Sequence, residues 1–286
     1  MIERLPLFIA AKAEPLIAAG IDQGRAEVEI ILCHLLSCDR LHLYLDGPGL
    51  ISPAIEGRLD DIIADRAKRQ PLQYILGEAW FYGRRFVVTP DVMVPTPETE
   101  LLCETATRYV ASANLSQPRL LDIGVGSGVI SVTLANELPN CAIVAVDISE
   151  PALGVARENA EALGGAERIE FRQSDLLAAV RDEERFDLVL SNPPYISESE
   201  YIDLPPEVLA DPKIALTAGE KGMDVINAIV SAAPAHLADG GRLMFEIGYN
   251  QADLVTELTG QDSRYTSLLI LKDLNDIDRV VVLGCD

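Results

Sequence analysis

Apolar residues recur at two different spacings along the chain, and the change of spacing divides it. Up to about residue 72 the spacing is helical: Ile30, Ile31, Leu35 and Leu36 make one stripe, and Ile55, Leu59, Ile62 and Ile63 make another. Ser52 and Pro53 open the second helix as N-cap and first helical residue. Gly20 and the stretch Asp46-Gly47-Pro48-Gly49 punctuate the segment. The pattern predicts a small helical bundle over residues 1–72, used to bind a partner or to pack on the rest of the chain. Residues 73–95 change character. Tyr74-Ile75-Leu76-Gly77 and Phe86-Val87-Val88 flank Trp80-Phe81-Tyr82-Gly83, which reads as a hairpin or extended connector. Five of the fifteen aromatic residues lie in this stretch, so it is a packed junction or a wall of a substrate cleft.

From residue 96 to 286, short continuous apolar runs alternate with helical ones. Thr96 is placed to cap a helix whose first residue is Pro97, with Glu98 and Glu100 near the positive end of its dipole. Strands are expected at 120–123, 142–146, 169–173, 186–191, 242–248, 268–271 and 279–283, with helices from Val129 to Leu138 and through Leu153, Ala156, Ala160 and Leu163. The link between the last two strands, residues 272–278, is too short for a crossover helix, so that pair should be antiparallel. The expected architecture is α/β: a Rossmann-like, seven-stranded, mostly parallel sheet with a reversed edge strand, behind a small N-terminal helical domain. The stretch 198–222, rich in Pro, Glu and Gly, reads as a loop over the site.

Charge narrows the partners. A net charge of −22 over 286 residues repels a phosphate backbone, so direct nucleic-acid binding is not expected without a local basic patch. The candidate patch, Arg66-Ala67-Lys68-Arg69 with Arg84-Arg85, is better read as a solvated helix end. Five scattered cysteines, with no Cys-x-x-Cys pair, fit a reduced cytoplasmic chain. His34, His42 and His236 show no metal spacing, and no metal site is expected. The start, Met1-Ile2-Glu3-Arg4, carries no signal-peptide pattern, and no apolar run is long enough to span a membrane.

The chemistry-bearing residues all fall where predicted strands end. After the first strand of the sheet comes Gly124-Val125-Gly126-Ser127-Gly128, a turn that lets a ligand approach the backbone, preceded by Asp122, whose charge suits a ligand bearing an amino group and a sulfonium. The spacing is Gly-x-Gly-x-Gly, not the Gly-x-Gly-x-x-Gly of dinucleotide enzymes. Asp147 ends the second strand, nineteen residues after Gly128, where a carboxylate can accept from both hydroxyls of a ribose. After the third strand, Asp175 can accept from an adenine amino group while the Leu176 N–H bonds a ring nitrogen. After the fourth stands Asn192-Pro193-Pro194-Tyr195, whose two prolines must stop the strand and leave the Asn side chain at its carboxyl end. By average composition this tetrapeptide arises by chance in on the order of one chain in a thousand of this length.

Asn-Pro-Pro-Tyr after a strand resembles the signature of S-adenosylmethionine-dependent methyltransferases that act on a planar nitrogen. More specifically, the chain resembles the HemK/PrmC family. The likeness runs through Pro71-Leu72-Gln73-Tyr74-Ile75-Leu76-Gly77, Phe81-Tyr82-Gly83, Val94-Pro95-Thr96-Pro97-Glu98-Thr99-Glu100, Asp122 to Gly128, Ser191 to Tyr195, and Glu246-Ile247-Gly248-Tyr249 with Gln251. The resemblance implies a class I methyltransferase fold and methylation of the amide nitrogen of the glutamine in the Gly-Gly-Gln motif of class I peptide chain release factors. It implies S-adenosylmethionine as cofactor and S-adenosylhomocysteine as product. It implies a release-factor-binding domain at 1–72, a connector at 73–95 and a catalytic domain at 96–286. Cofactor binding maps onto Asp122, Gly124 to Gly128, Asp147, Asp175, Leu176 and Asn192; substrate binding and catalysis map onto Asn192, Pro193, Pro194 and Tyr195. The chain departs from the family pattern at Thr96, where Arg is usual, at Leu176, where an aromatic is frequent, and at Asn275-Asp276, where Gly-Arg is usual. The rivals are a nucleic-acid adenine or cytosine amino-methyltransferase, a ribosomal-protein glutamine methyltransferase, and a non-catalytic binding protein of the same fold.

Overall fold

The computed structural model describes residues 5–46, 49 and 51–285; the start Met1-Ile2-Glu3-Arg4 and the Gly47-Pro48 part of the expected turn lie outside them. The chain forms two units. One runs to Gly77 and also takes in Pro205–Ala210; the other comprises Glu78–Leu204 and the chain from Asp211 onward.

The first unit holds α1 (Leu5–Ala18), α2 (Gly24–Leu36), α3 (Arg40–Leu45), α4 (Pro53–Arg66) and α5 (Leu72–Leu76). Its core takes only part of each expected stripe. Ile31 and Leu35 of α2 and Leu59 and Ile63 of α4 pack with Leu16, Val28 and Leu32, whereas Ile30 is 49% exposed. Neighbours on a helix point about 100° apart; Val28, Leu32 and Leu35 lie to one side of Ile31 and make the buried face, and Ile30 lies to the other. The Ser52 side chain accepts from the Ile55 N–H and caps α4, with Pro53 as its first residue, a contact that contributes about 1 kcal/mol. The basic patch is neutralised. The guanidinium of Arg66 bonds Glu27 and Glu207 at 2.8 Å each, Arg69 bonds Glu207 at 2.8 Å, and Lys68 bonds Asp65 at 2.7 Å. Glu207 is drawn from the long loop into this cluster, where Arg69 and then Arg66 hold its carboxyl down at about 2.

The second unit opens with a hairpin, β1 (Glu78–Phe81) and β2 (Arg84–Val87). Its two turn residues, Tyr82 and Gly83, take φ of 50° and 71°, the paired left-handed geometry that matches the twist of flanking strands. Phe81 and Phe86 are buried edge to face at 84°, with centroids 6.1 Å apart. The rest alternates as α6 (Glu98–Ser112), β3 (Arg119–Ile123), α7 (Val129–Glu137), β4 (Ala142–Asp147), α8 (Glu150–Leu163), β5 (Ile169–Gln173) and β6 (Phe186–Ser191). Three short helices follow, α9 (Glu198–Tyr201), α10 (Pro206–Leu209) and α11 (Lys213–Leu216), of which α10 belongs to the first unit. The chain ends with α12 (Asp224–Ala232), β7 (Leu237–Glu246), α13 (Ala252–Gly260), β8 (Ser267–Lys272) and β9 (Asp278–Gly284).

The seven-stranded sheet has the order β5-β4-β3-β6-β7-β9-β8. All neighbours run parallel except β9, which is antiparallel to both β7 and β8. The reversed strand thus lies at the β8 end of the sheet, and β8 closes that edge with Leu268 and Leu269 exposed. Side chains alternate between two cores. Leu120, Leu188 and Leu190 face α6, α7 and α8, while Leu121, Ile123 and Val189 face α12 and α13, so the central strands carry apolar residues on both sides, as a sheet covered on both faces requires. β3 lies between β4 and β6, and the chain order reverses there, which makes the carboxyl ends of these strands the ligand crevice.

Candidate active site

Register brings the expected residues together. Ile123 is opposite both Val146 and Ser191, Asp147 is opposite Gln173, and Ser191 is opposite Phe245. Gly124, Asp147, Ser174, Asn192 and Glu246 therefore emerge at nearly one level. A cavity of about 270 Å³ opens over the first four, and its walls include Gly124, Val125, Gly126, Ser127, Asp147, Asp175, Leu176, Asn192 and Pro194. Asp122, Gly128, Pro193 and Tyr195 are not among its lining residues.

The glycine loop is shaped by backbone conformation. Gly124, Gly126 and Gly128 take φ of 77°, 54° and 85°, a region that costs other residues about 1–2 kcal/mol. A β-carbon on Gly124 or Gly126 would meet no atom within 4 Å, so that side is open to a ligand; one on Gly128 would lie 3.2 Å from the Ala156 backbone, so the last glycine lets α7 approach α8. The Gly126 N–H donates to Asp147 Oδ2 at 2.9 Å, and the Ser149 N–H donates to Asp147 Oδ1 at 2.9 Å. Asp147 thereby fixes the loop and the start of α8 while facing the cavity. Asn159 of α8 adds a brace: its amide donates to Ser127 O at 2.8 Å and Val87 O at 2.9 Å and accepts from the Val87 N–H at 2.7 Å.

Asp122 departs from the expectation of a charge facing the ligand. It is fully buried behind the loop, where Ser131 donates to Oδ2 at 2.6 Å. Oδ1 has no partner. Burial pushes its carboxyl up to about 7. The strand's alternation explains this: Asp122 shares the face of Leu120, toward α7. Thr96 also departs from its expected cap. No side chain caps α6, which begins at Glu98 after Pro97, and the Thr96 hydroxyl lies 3.5 Å from that of Thr99.

At the tetrapeptide, the Asn192 amide donates from Nδ2 to Thr99 Oγ1 at 2.9 Å. Thr99 in turn donates to Glu246 Oε2 at 2.7 Å, and the Tyr195 hydroxyl donates to Glu246 Oε1 at 3.1 Å. Glu246 is fully buried, and burial pushes its carboxyl up to about 7. Burial likewise raises the Tyr195 phenol far above its ordinary range. The backbone after the prolines is clamped by Gln251, whose Nε2 donates to Tyr195 O at 2.9 Å and Gly222 O at 3.1 Å, while its Oε1 accepts from the Gly248 N–H at 2.9 Å.

Asp91, Val92, Met93 and Pro95, just after the hairpin, line the cavity, as do Pro212 and Ile214 of the stretch expected to lie over the site, although the sequence singles out none of these residues. Thr99 and Glu246 were visible only as members of motifs, without a task. The expectation that the aromatic stretch is either packed junction or cleft wall divides in two: Phe81 and Phe86 are core, and the residues that follow them form the wall.

The comparisons agree with this construction. A family described as PrmC N-terminal domain matches residues 11–77, and one described as Methyltransferase small domain matches residues 99–219. A Release factor glutamine methyltransferase from Cereibacter sphaeroides is 44% identical over 276 residues, covering 96% of this chain and 95% of its own. One from Chlorobaculum tepidum is 40% identical over 286 residues, covering 98% and 95%. Among solved structures, the hMettl16 catalytic domain in complex with MAT2A 3′UTR hairpin 6 shares the fold at a TM-score of 0.60 and 14% identity, over 79% of this chain and 82% of that one. With relatives this similar over nearly its whole length, the chain belongs to the release factor glutamine methyltransferase family.

Proposed function

We propose that the chain transfers a methyl group from S-adenosylmethionine to the side-chain amide nitrogen of the glutamine in the Gly-Gly-Gln motif of class I peptide chain release factors. The observation that carries this reading is the Asn192 amide, held at the cavity with its NH₂ committed to Thr99. Its Oδ1, at the other end of the amide, is left to accept from a substrate donor.

The cavity suits the cofactor. Open space above Gly124 and Gly126 admits a ligand against the backbone. Asp147 offers its remaining lone pairs to ribose hydroxyls, Asp175 accepts from an adenine amino group, and Val92, Ile148 and Leu176 supply apolar wall. The cofactor, when bound, supplies an electrophilic methyl on a sulfonium.

An amide nitrogen is a poor nucleophile because its lone pair is delocalised into the carbonyl. Asn192 Oδ1 and the Pro193 carbonyl each accept one N–H of the substrate NH₂, which aligns the nitrogen and favours pyramidalisation. The lone pair is thereby localised, and positioning supplies most of the acceleration. Pro193 and Pro194 stiffen this loop, Gln251 clamps it, and Tyr195 packs beside the planar amide. The proton leaves after the nitrogen has become cationic, so these residues serve as acceptors and need no strong base.

A protein substrate is favoured over nucleic acid because the basic residues of the candidate patch are already paired. In addition to the Arg66–Arg69 cluster, Arg84 bonds Glu137 at 2.7 Å and Arg85 bonds Glu78 at 3.2 Å. The helical unit is assigned to release-factor recognition. Among the described residues no helix is long and apolar enough to cross a membrane, and the cytoplasm, where release factors work, is the assigned location. The test offers labelled S-adenosylmethionine with release factor, ribosomal protein or nucleic acid to wild type and Asn192→Ala. Transfer to release factor by wild type, and its loss by at least about a hundredfold in the variant, is the expected result. Label entering nucleic acid or ribosomal protein but not release factor would overturn the substrate; equal transfer by the variant would overturn the role of Asn192.

A further inference from the structure

Asn192 can do its work only in one of two orientations. An amide presents an acceptor at one end and donors at the other, and turning it over exchanges them with almost no change of shape. The substrate NH₂ needs an acceptor. Something must therefore hold the Asn192 NH₂ on the other side, and a lone threonine hydroxyl cannot, because it donates and accepts equally well.

We propose that Glu246 and Thr99 are positioning residues that set which end of the Asn192 amide faces the substrate nitrogen. An ionised carboxylate only accepts. At 2.7 Å, Glu246 Oε2 takes the single hydroxyl proton of Thr99. The Thr99 oxygen is left with lone pairs only, and at 2.9 Å these take an N–H of Asn192. The polarity of the chain is set at its buried end and read out at the cavity. Tyr195 donates to the other carboxylate oxygen and closes the same network at 3.1 Å.

The arrangement is sensitive to a proton at Glu246. A protonated carboxyl can donate to Thr99, which frees the Thr99 proton for Asn192 Oδ1 and turns the amide over. The groups facing Glu246 are Thr99 and Glu98 of α6, Tyr195 after β6, and Arg279 of β9. Arg279, Thr99 and Tyr195 favour the ionised form, while burial foremost, and Glu98 as well, oppose it, leaving the carboxyl at about 7. Arg279 is itself anchored, its guanidinium donating to Ile247 O at 3.1 Å and to Asp273 at 3.4 Å. The competent, ionised form is lost as pH falls through about 7.

This inference deepens the methyl-transfer reading and rests on it for its catalytic consequence, but the orientation itself is measurable without substrate. The side-chain ¹⁵N–¹H signals of Asn192, assigned by their loss in Asn192→Ala, are followed against pH in wild type and Glu246→Gln. Movement with a midpoint near 7 in wild type, absent in Glu246→Gln, is expected; pH-independent signals in wild type, or the same titration in both, would overturn the proposal. In transfer assays Glu246→Gln and Thr99→Val lose roughly 10- to 100-fold in kcat, with cofactor Kd changed by less than about threefold. Thr99→Ser recovers most of what Thr99→Val loses. A loss confined to KM, to cofactor affinity or to thermal stability would also overturn it. A wild type that labels no release factor would count against the substrate reading alone, since the Asn192 signals decide the orientation independently.

Discussion

Gly222→Ala tests whether the tetrapeptide backbone is as tightly held as the structure indicates. Gly222 takes φ of +68°, and a β-carbon there would overlap the Tyr195 carbonyl oxygen and lie 2.8 Å from its carbon. It would also stand 3.0 Å from Gln251 Nε2, the group that bonds that same carbonyl. Two costs add. The left-handed backbone costs an alanine about 1–2 kcal/mol, and forcing a methyl into a packed site adds about 1–3 kcal/mol. Gly240→Ala separates them: Gly240 takes φ of +74°, but its β-carbon would meet nothing within 4 Å. The control should lose only the backbone term and keep its activity. Gly222→Ala should lose about 2–5 kcal/mol in all and, because the Tyr195 carbonyl must move, should also lose kcat. Urea denaturation and methyl transfer on the two variants measure this. Equal destabilisation of both, with kcat intact in Gly222→Ala, would refute the clamp.

Two further variants probe the cofactor side. Asp147→Asn keeps the shape but can no longer accept from Gly126, Ser149 and a ribose alike; loss of a charge-assisted bond of about 1.5–3 kcal/mol predicts roughly 10- to 150-fold weaker cofactor binding by titration calorimetry, and an unchanged Kd would remove Asp147 from the site. Asp122 is an acid raised to about 7 in the fold, so between its unfolded value near 4 and about 7 the folded state binds more protons than the unfolded one, and stability falls as pH rises. Asp122→Asn should flatten that slope, which is at most about 1.4 kcal/mol per pH unit, and should gain stability relative to wild type at pH 8 compared with pH 5; parallel pH profiles would contradict it.

Much of this was legible in the sequence because it is local. A glycine loop after an apolar run, and two prolines that must end a strand, declare their place without knowledge of the fold. The parallel order of strands then aligned Asp147 and Asn192 as their positions at strand ends imply. What stayed hidden depends on register between distant segments. Nothing near Glu246 says that Phe245 pairs with Ser191, and without that pairing Glu246 is only the acid ending one more strand. Thr99 has no task of its own in the sequence beyond its place in Pro97-Glu98-Thr99-Glu100, because its partners lie 93 and 147 positions away. Asp122 departs from its expectation for the opposite reason: its neighbourhood in sequence is the glycine loop, but strand alternation turns its side chain toward α7 and Ser131. Glu207 shows the same limit, since a loop residue held by Arg66 and Arg69 belongs to the helical unit despite its place in the chain.

The central claim is the identity of the methylated atom. Purified release factor is incubated with the enzyme and S-adenosylmethionine, digested, and its Gly-Gly-Gln peptide sequenced by tandem mass spectrometry. A single added methyl on the glutamine side-chain nitrogen, formed by wild type and missing with Asn192→Ala, is expected. A methyl on any other residue, or an unmodified peptide under conditions where the enzyme methylates nucleic acid or a ribosomal protein, would contradict it.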